Sequence, residues 1–193
     1  MAVGALLLPI NAAQRLELLA GDYLQADETP VGVQSPDAPK GQNHRAWQWQ
    51  YSVPGGPVVF DFQMSRSRAG PAAFLQNYRG VVQTDAYGAY DSVMGPGMIH
   101  AGCWAHARRK FHEALTDVGP RSRQIIALID PLYGIEKVAC ESGLSPEARK
   151  ELRQQKAPSM LERLHRHLLE LDPPEWVRRC CPRTRWARRS VTL

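Results

Sequence analysis

Residues 46–53, Ala-Trp-Gln-Trp-Gln-Tyr-Ser-Val, alternate apolar and polar side chains from Trp47 onward. A period of two puts successive side chains on opposite faces of a strand, one buried and one wet, and a helix cannot satisfy it. Gly55-Gly-Pro57 reads as a turn and Val58–Met64 as the next strand, so the pair is predicted to be an antiparallel hairpin. A hairpin is marginal on its own, so neighbouring segments must complete a sheet. Tyr23–Asp27, Gly80–Asp85 and Met98–Gly102 supply three further strands. The first and second of these run into an aspartate. A short helix over Leu16–Leu19, ending near Gly21, and another over Pro71–Tyr78 complete a mixed α/β region through residue 102.

The texture changes after that. Trp104, Ala107, Phe111 and Leu115 recur at helical spacing, which predicts a helix over Cys103–Thr116. Ile125–Ala139 repeats the period, with Pro131 and Gly134 expected to kink or split it. Ser145-Pro-Glu147 has the form of an N-cap with proline in the first helical position. Pro158–Leu171 reads as a last amphipathic helix, and helical signals stop at Pro173. The expected organisation is a core over 1–116, a helical segment over 117–172 and an irregular tail over 173–193.

The charge belongs to that tail. The net charge of +5 includes six arginines between Arg178 and Arg189, and without them 18 basic residues face 19 acidic ones. A basic balance is therefore no argument for nucleic-acid binding by the rest of the chain. The tail reads either as a DNA-binding arm or as out-of-frame sequence. No stretch approaches the length of a membrane span. Met1–Ile10 is apolar but has no basic residue and is interrupted by Pro9, which argues against a signal peptide. Cys103, Cys140, Cys180 and Cys181 form no disulfide framework, which points to a reducing, cytoplasmic setting.

Asp27 and Asp85 are the residues with most chemistry to offer. Carboxylates at the ends of neighbouring strands can hold Mg²⁺ together with substrate phosphates. A two-metal site of this kind cleaves phosphodiesters, and a third carboxylate normally completes it. The alternative is that both are ordinary strand-end aspartates. Arg108, Arg109 and Lys110 form either a solvated face or a contact to DNA phosphates. Cys103 and His106 have a spacing a zinc site can use, without a second pair to match it.

Three blocks resemble the IS66-type insertion-sequence transposases. They are Gln25-Ala-Asp-Glu-Thr-Pro-Val31, Gly80-Val-Val-Gln-Thr-Asp-Ala-Tyr-Gly-Ala-Tyr90 and Gly102-Cys-Trp-Ala-His-Ala-Arg-Arg-Lys-Phe111, in the family's order and separation. The likeness extends over about residues 15–170, with Leu144-Ser-Pro-Glu-Ala-Arg149 in the helical segment. It implies an RNase H-like mixed sheet flanked by helices, followed by an all-helical segment. It also implies DDE chemistry, in which DNA is cut at transposon ends and joined to a target with Mg²⁺ or Mn²⁺. By matching blocks, Asp27 and Asp85 correspond to the first two catalytic, metal-ligating aspartates. Glu28, Thr29, Pro30, Tyr87, Tyr90, Cys103, Trp104, His106 and Phe111 are motif positions.

The resemblance also implies parts that this sequence lacks. The family's third carboxylate lies in an Asp-Asn-Asn stretch leading to Glu-Arg, and the only asparagines here are Asn11, Asn43 and Asn77. The amino-terminal zinc-binding and DNA-end-recognition segments have no counterpart. The expectation is a fragment shortened at both ends, with a frameshift near residue 173 and with Glu113, Glu136 and Glu141 as poor substitutes. A sheet without its last helix is also expected to expose apolar surface. Two functions remain in contention: a DDE transposase polypeptide, self-associating on DNA, and an inactive remnant that binds DNA without sequence preference.

Overall fold

The computed structural model describes residues 3–36, 39, 41–85, 87–116 and 119–170. The predicted tail at 173–193 lies outside these described residues. The chain divides into two compact units between Cys103 and Trp104.

The first unit runs α1 (Val3–Ala20), β1 (Tyr23–Val33), β2 (His44–Ser52), β3 (Val58–Gln63), α2 (Ala69–Phe74), β4 (Gly80–Thr84), α3 (Gly88–Asp91) and β5 (Met98–Gly102). The five strands form one mixed sheet in the order β3-β2-β1-β4-β5. The β1–β2 and β2–β3 pairs are antiparallel, whereas β1–β4 and β4–β5 are parallel. The alternating Trp47, Trp49 and Tyr51 lie on one face. Trp49 and Tyr51 are fully buried among Leu18, Leu24, Phe74, Leu75, Val82 and Tyr90. Tyr51 stacks on Phe74 with ring centroids 3.5 Å apart. The other face is open, and Val58, Phe60, Phe62 and Ile99 are exposed along it.

β1 is longer than its sequence suggests. Tyr23–Asp27 is only its first half, because β2 pairs with it all the way from Gln25 to Val33. β4 flanks only Tyr23–Gln25. Pro30, with no N–H to donate, therefore sits on a stretch that has a single partner strand, where proline is tolerated. Asp27 is thus a mid-strand residue, and it marks the end of the parallel ladder instead of the end of the strand. α1 likewise extends well before Leu16 and runs through Pro9.

β4 begins at a tight point. Gly80 has φ +142°, and a Cβ there would stand 2.5 Å from the Asp22 carbonyl oxygen. The Val81 N–H donates to that same oxygen at 2.7 Å. Only glycine allows the two parallel strands to start this close together.

The second unit contains α4 (Trp104–Glu113), α5 (Gly119–Glu141) and α6 (Pro146–Glu170). Phe111, Ala114, Ile125, Ile126, Ile129 and Leu164 form its core. Both α5 and α6 run on through their prolines. Pro131 does not split α5, which is one helix of 23 residues. α6 does not wait for Pro158 but runs unbroken through it for 25 residues. An interior proline costs a helix about 3 kcal/mol. Ile125, Ile126 and Ile129 before Pro131, and Ile135 and Ala139 after it, are all buried, and their burial offsets that cost. The Ser145 cap is present: its Oγ accepts from the Ala148 N–H at 3.3 Å.

Candidate active site

The register of the sheet decides where the acidic residues go. Across the strands, Asp27 is in line with Gln50 and Phe60, on the open face, and is exposed. Glu28 is in line with Trp49 and Asp61, on the core face, and is only 9% exposed. Adjacent carboxylates in one strand are thus sent to opposite sides. The last parallel pair is Gln25 with Gln83, so Asp27 and Asp85 each stand two residues beyond it. Asp85 follows the end of β4 and is half-buried.

Local hydrogen bonds orient both aspartates. The Asp27 Oδ1 accepts from the Glu28 N–H at 3.0 Å. The Asp85 Oδ1 accepts from the Tyr87 N–H at 2.8 Å. The end of β4 is braced from the residue after β5 as well: the Cys103 N–H donates to the Thr84 carbonyl at 2.9 Å. The buried Thr84 hydroxyl donates to the Asp85 carbonyl at 2.7 Å and lies 2.7 Å from His100 Nε2. The other ring nitrogen of His100 is 3.5 Å from Asp91.

Glu28 is buried but not alone. Arg66 donates to its Oε1 through Nε at 2.9 Å and through Nη2, and the buried Tyr90 hydroxyl donates to its Oε2 at 3.1 Å. Burial pushes the Glu28 carboxyl above its ordinary value, the Arg66 bond pulls it back, and the Asp85 charge adds to the rise. The Arg66 guanidinium lies 3.7 Å from the Tyr87 ring centre and 4.7 Å from that of Trp47. The Tyr87 hydroxyl donates to the Arg66 carbonyl at 2.5 Å. Arg66 escaped the sequence reading because it stands in a polar Ser-Arg-Ser-Arg run with no period, and only the tertiary contacts single it out.

The other motif residues are dispersed. Thr29 and Pro30 are exposed on β1. Trp104 and Phe111 pack in the helical core. Arg108 is bonded to Asp130 at 2.8 Å and Lys110 to Glu113 at 2.7 Å, while Arg109 is exposed. Arg108, Arg109, His112 and Lys137 line a groove of about 850 Å³ in which Asp130 is the one acid. Glu113, Glu136 and Glu141 are each paired with a cation, Lys110, Arg153 and Lys137 respectively.

Among the described residues no group of three or more histidines, cysteines or acids is placed to hold a metal ion. A pair of carboxylates such as Asp27 and Asp85 would suit a hard cation such as Mg²⁺, which keeps several waters and takes one or two carboxylates plus substrate phosphate. It does not amount to a closed cage. Among the described residues no helix is long and apolar enough to cross a membrane.

The model of the IS66 family of transposases matches residues 1–185. Three curated proteins of Sinorhizobium fredii (strain NBRC 101917 / NGR234), all described as uncharacterized, are similar. Protein y4qI is 28% identical over 161 residues, covering 75% of this chain and 29% of its own length. Protein y4hP is 28% identical over 189 residues, covering 85% and 33%. Protein y4jD is 32% identical over 127 residues, covering 61% and 24%. The chain thus spans about a quarter to a third of the length of these relatives. No solved structure matches it.

Proposed function

The chain belongs to the IS66 family of transposases, and on that premise we propose that its sheet unit is the RNase H-like part of a DDE enzyme acting in DNA transposition. The observation that carries this reading is the parallel β1–β4 pair with Asp27 and Asp85 each two residues past its last rung. The strand order, with an antiparallel meander on one side of β1 and a parallel extension on the other, supports the fold assignment.

In this reading Asp27 and Asp85 would hold Mg²⁺ or Mn²⁺ in a site of the two-metal type, with the Tyr87 N–H keeping Asp85 in place. When bound, the cation supplies Lewis-acid stabilisation of the phosphodiester under attack. DNA is the partner, both as transposon end and as target. Arg108, Arg109 and Lys110 take its phosphates, contacts that position the duplex without reading sequence. The setting is the cytoplasm, and the protein self-associates on DNA. Two carboxylates are a partial set, which a third would normally complete.

The test is nicking of supercoiled plasmid in Mg²⁺ or Mn²⁺ by the wild type, Asp27→Ala and Asp85→Ala. Nicking that both substitutions abolish supports an active site in this polypeptide. A wild type that never nicks shows that catalysis is not a property of this chain alone.

The basic groove on α4 and α5 favours a second reading, a catalytically inactive remnant that still binds DNA. It requires affinity that falls steeply with salt and ignores sequence. Binding that survives high salt and selects one sequence excludes it.

A further inference from the structure

Arg66 lies outside every motif yet touches the surroundings of both aspartates. Its guanidinium bonds Glu28, whose N–H donates to Asp27. Its backbone carbonyl accepts from the Tyr87 hydroxyl, and the Tyr87 N–H donates to Asp85. The same guanidinium lies over the Tyr87 ring and over Trp47, which stands on β2. One side chain therefore ties β1, β2 and the segment following β4 to each other. We infer that Arg66 is a positioning residue that holds Asp27 and Asp85 in register for a divalent cation. The inference rests on the reading of those two aspartates as cation ligands.

The fork of the guanidinium matters as much as its charge. Its Nε and Nη2 both reach Glu28 Oε1 while the flat face stays on Tyr87, a geometry that lysine cannot reproduce. Charge alone makes the opposite prediction from positioning. Removing a cation from the neighbourhood of three acids should make the site more attractive to Mn²⁺. Removing a support that aligns the ligands should make it less so.

The experiment is titration of the full chain with Mn²⁺ alone, with free ion followed by its paramagnetic resonance signal. Wild type, Asp27→Asn, Asp85→Asn, Arg66→Gln and Arg66→Lys are compared, and circular dichroism checks each fold. The expected result is binding that either aspartate substitution removes. Arg66→Gln should weaken it about tenfold, the lower range for supports of metal ligands, and Arg66→Lys should recover only part. If the aspartate variants lose Mn²⁺ while a folded Arg66→Gln binds as tightly as wild type or more so, Arg66 is not a positioning residue and the ligand reading stands. If wild type binds no Mn²⁺, or the aspartate variants bind it unchanged, the ligand reading falls and the inference falls with it. Should Arg66→Gln fail to fold, Tyr87→Phe removes only the hydroxyl that fastens Arg66. Weaker Mn²⁺ binding then supports the inference and unchanged binding overturns it.

Discussion

Glu28 in the sheet unit and Glu136 in the helical unit each accept two hydrogen bonds from one arginine. Arg66 serves the first; Arg153 serves the second through Nε and Nη2, both at 2.6 Å. The side chain of Glu28 is 1% exposed and that of Glu136 is 40% exposed. Their carboxyls move in opposite directions. Burial drives Glu28 up, whereas the Arg153 bond drives Glu136 down. The same two residue types make a costly internal constraint in one place and an ordinary surface pair in the other. What separates them is desolvation, which an ion pair overcomes only with excellent geometry and further partners. The sheet unit supplies those partners in Tyr90, Tyr87 and Trp47. The helical unit leaves its pairs to water, as Lys110–Glu113, Lys137–Glu141 and Arg166–Glu162 also show.

The sharpest test of this contrast is removal of each carboxylate. Glu28→Ala strands the buried Tyr90 hydroxyl and frees Arg66, and should cost about 3 kcal/mol in urea unfolding. Glu136→Ala should cost less than about 1 kcal/mol by the same measurement. Equal losses would break the comparison.

A smaller effect belongs to the helical unit alone. Ser145→Ala removes the oxygen that accepts from Ala148 and should cost about 1 kcal/mol. Amide exchange should quicken in the first turn of α6 and stay unchanged in β1.

The smallest effect is a slope. Glu136 is held below its ordinary value, so its pairing contributes stability above the ordinary carboxylate range. That contribution is lost as pH falls through its lowered value. Glu136→Gln should therefore flatten part of the acid limb of thermal unfolding. A limb identical to wild type would mean that the pair contributes nothing even at the surface.

Much of the secondary structure was legible in the residues. Ala46–Val53 gave away β2 because both of its faces have a clear character, and β5 was read to the residue as Met98–Gly102. The length of β1 was hidden, since Glu28 and Pro30 look like the polar end of a strand. Their place inside it depends on β2 pairing and on an aromatic cluster distant in sequence. The proline of α5 misled for a related reason: a local rule for breaking helices yields to tertiary burial at Ile125, Ile129 and Ile135. In the candidate site, Asp27 and Asp85 stood out as strand-end acids. That Glu28 leaves the strand on the face opposite Asp27 was legible from the alternation, but its bonds to Arg66 and Tyr90 and the place of His100 beside Thr84 were not, because those partners lie 38, 62 and 16 residues away.

The neighbouring acids of β1 also bear on how such a chain can drift. Asp27 faces outward and Glu28 inward only because the strand holds its phase between Leu24 and Trp49. Inserting a single codon ahead of Asp27 would exchange the two, setting an aspartate against Trp49 and sending the longer acid into solvent, and deleting one would set the aspartate against Tyr51 instead. Conservative point substitutions there leave the alternation intact, but length changes do not. Lineages should therefore vary in length between Val33 and His44 and keep the spacing from Tyr23 to Glu28 unchanged.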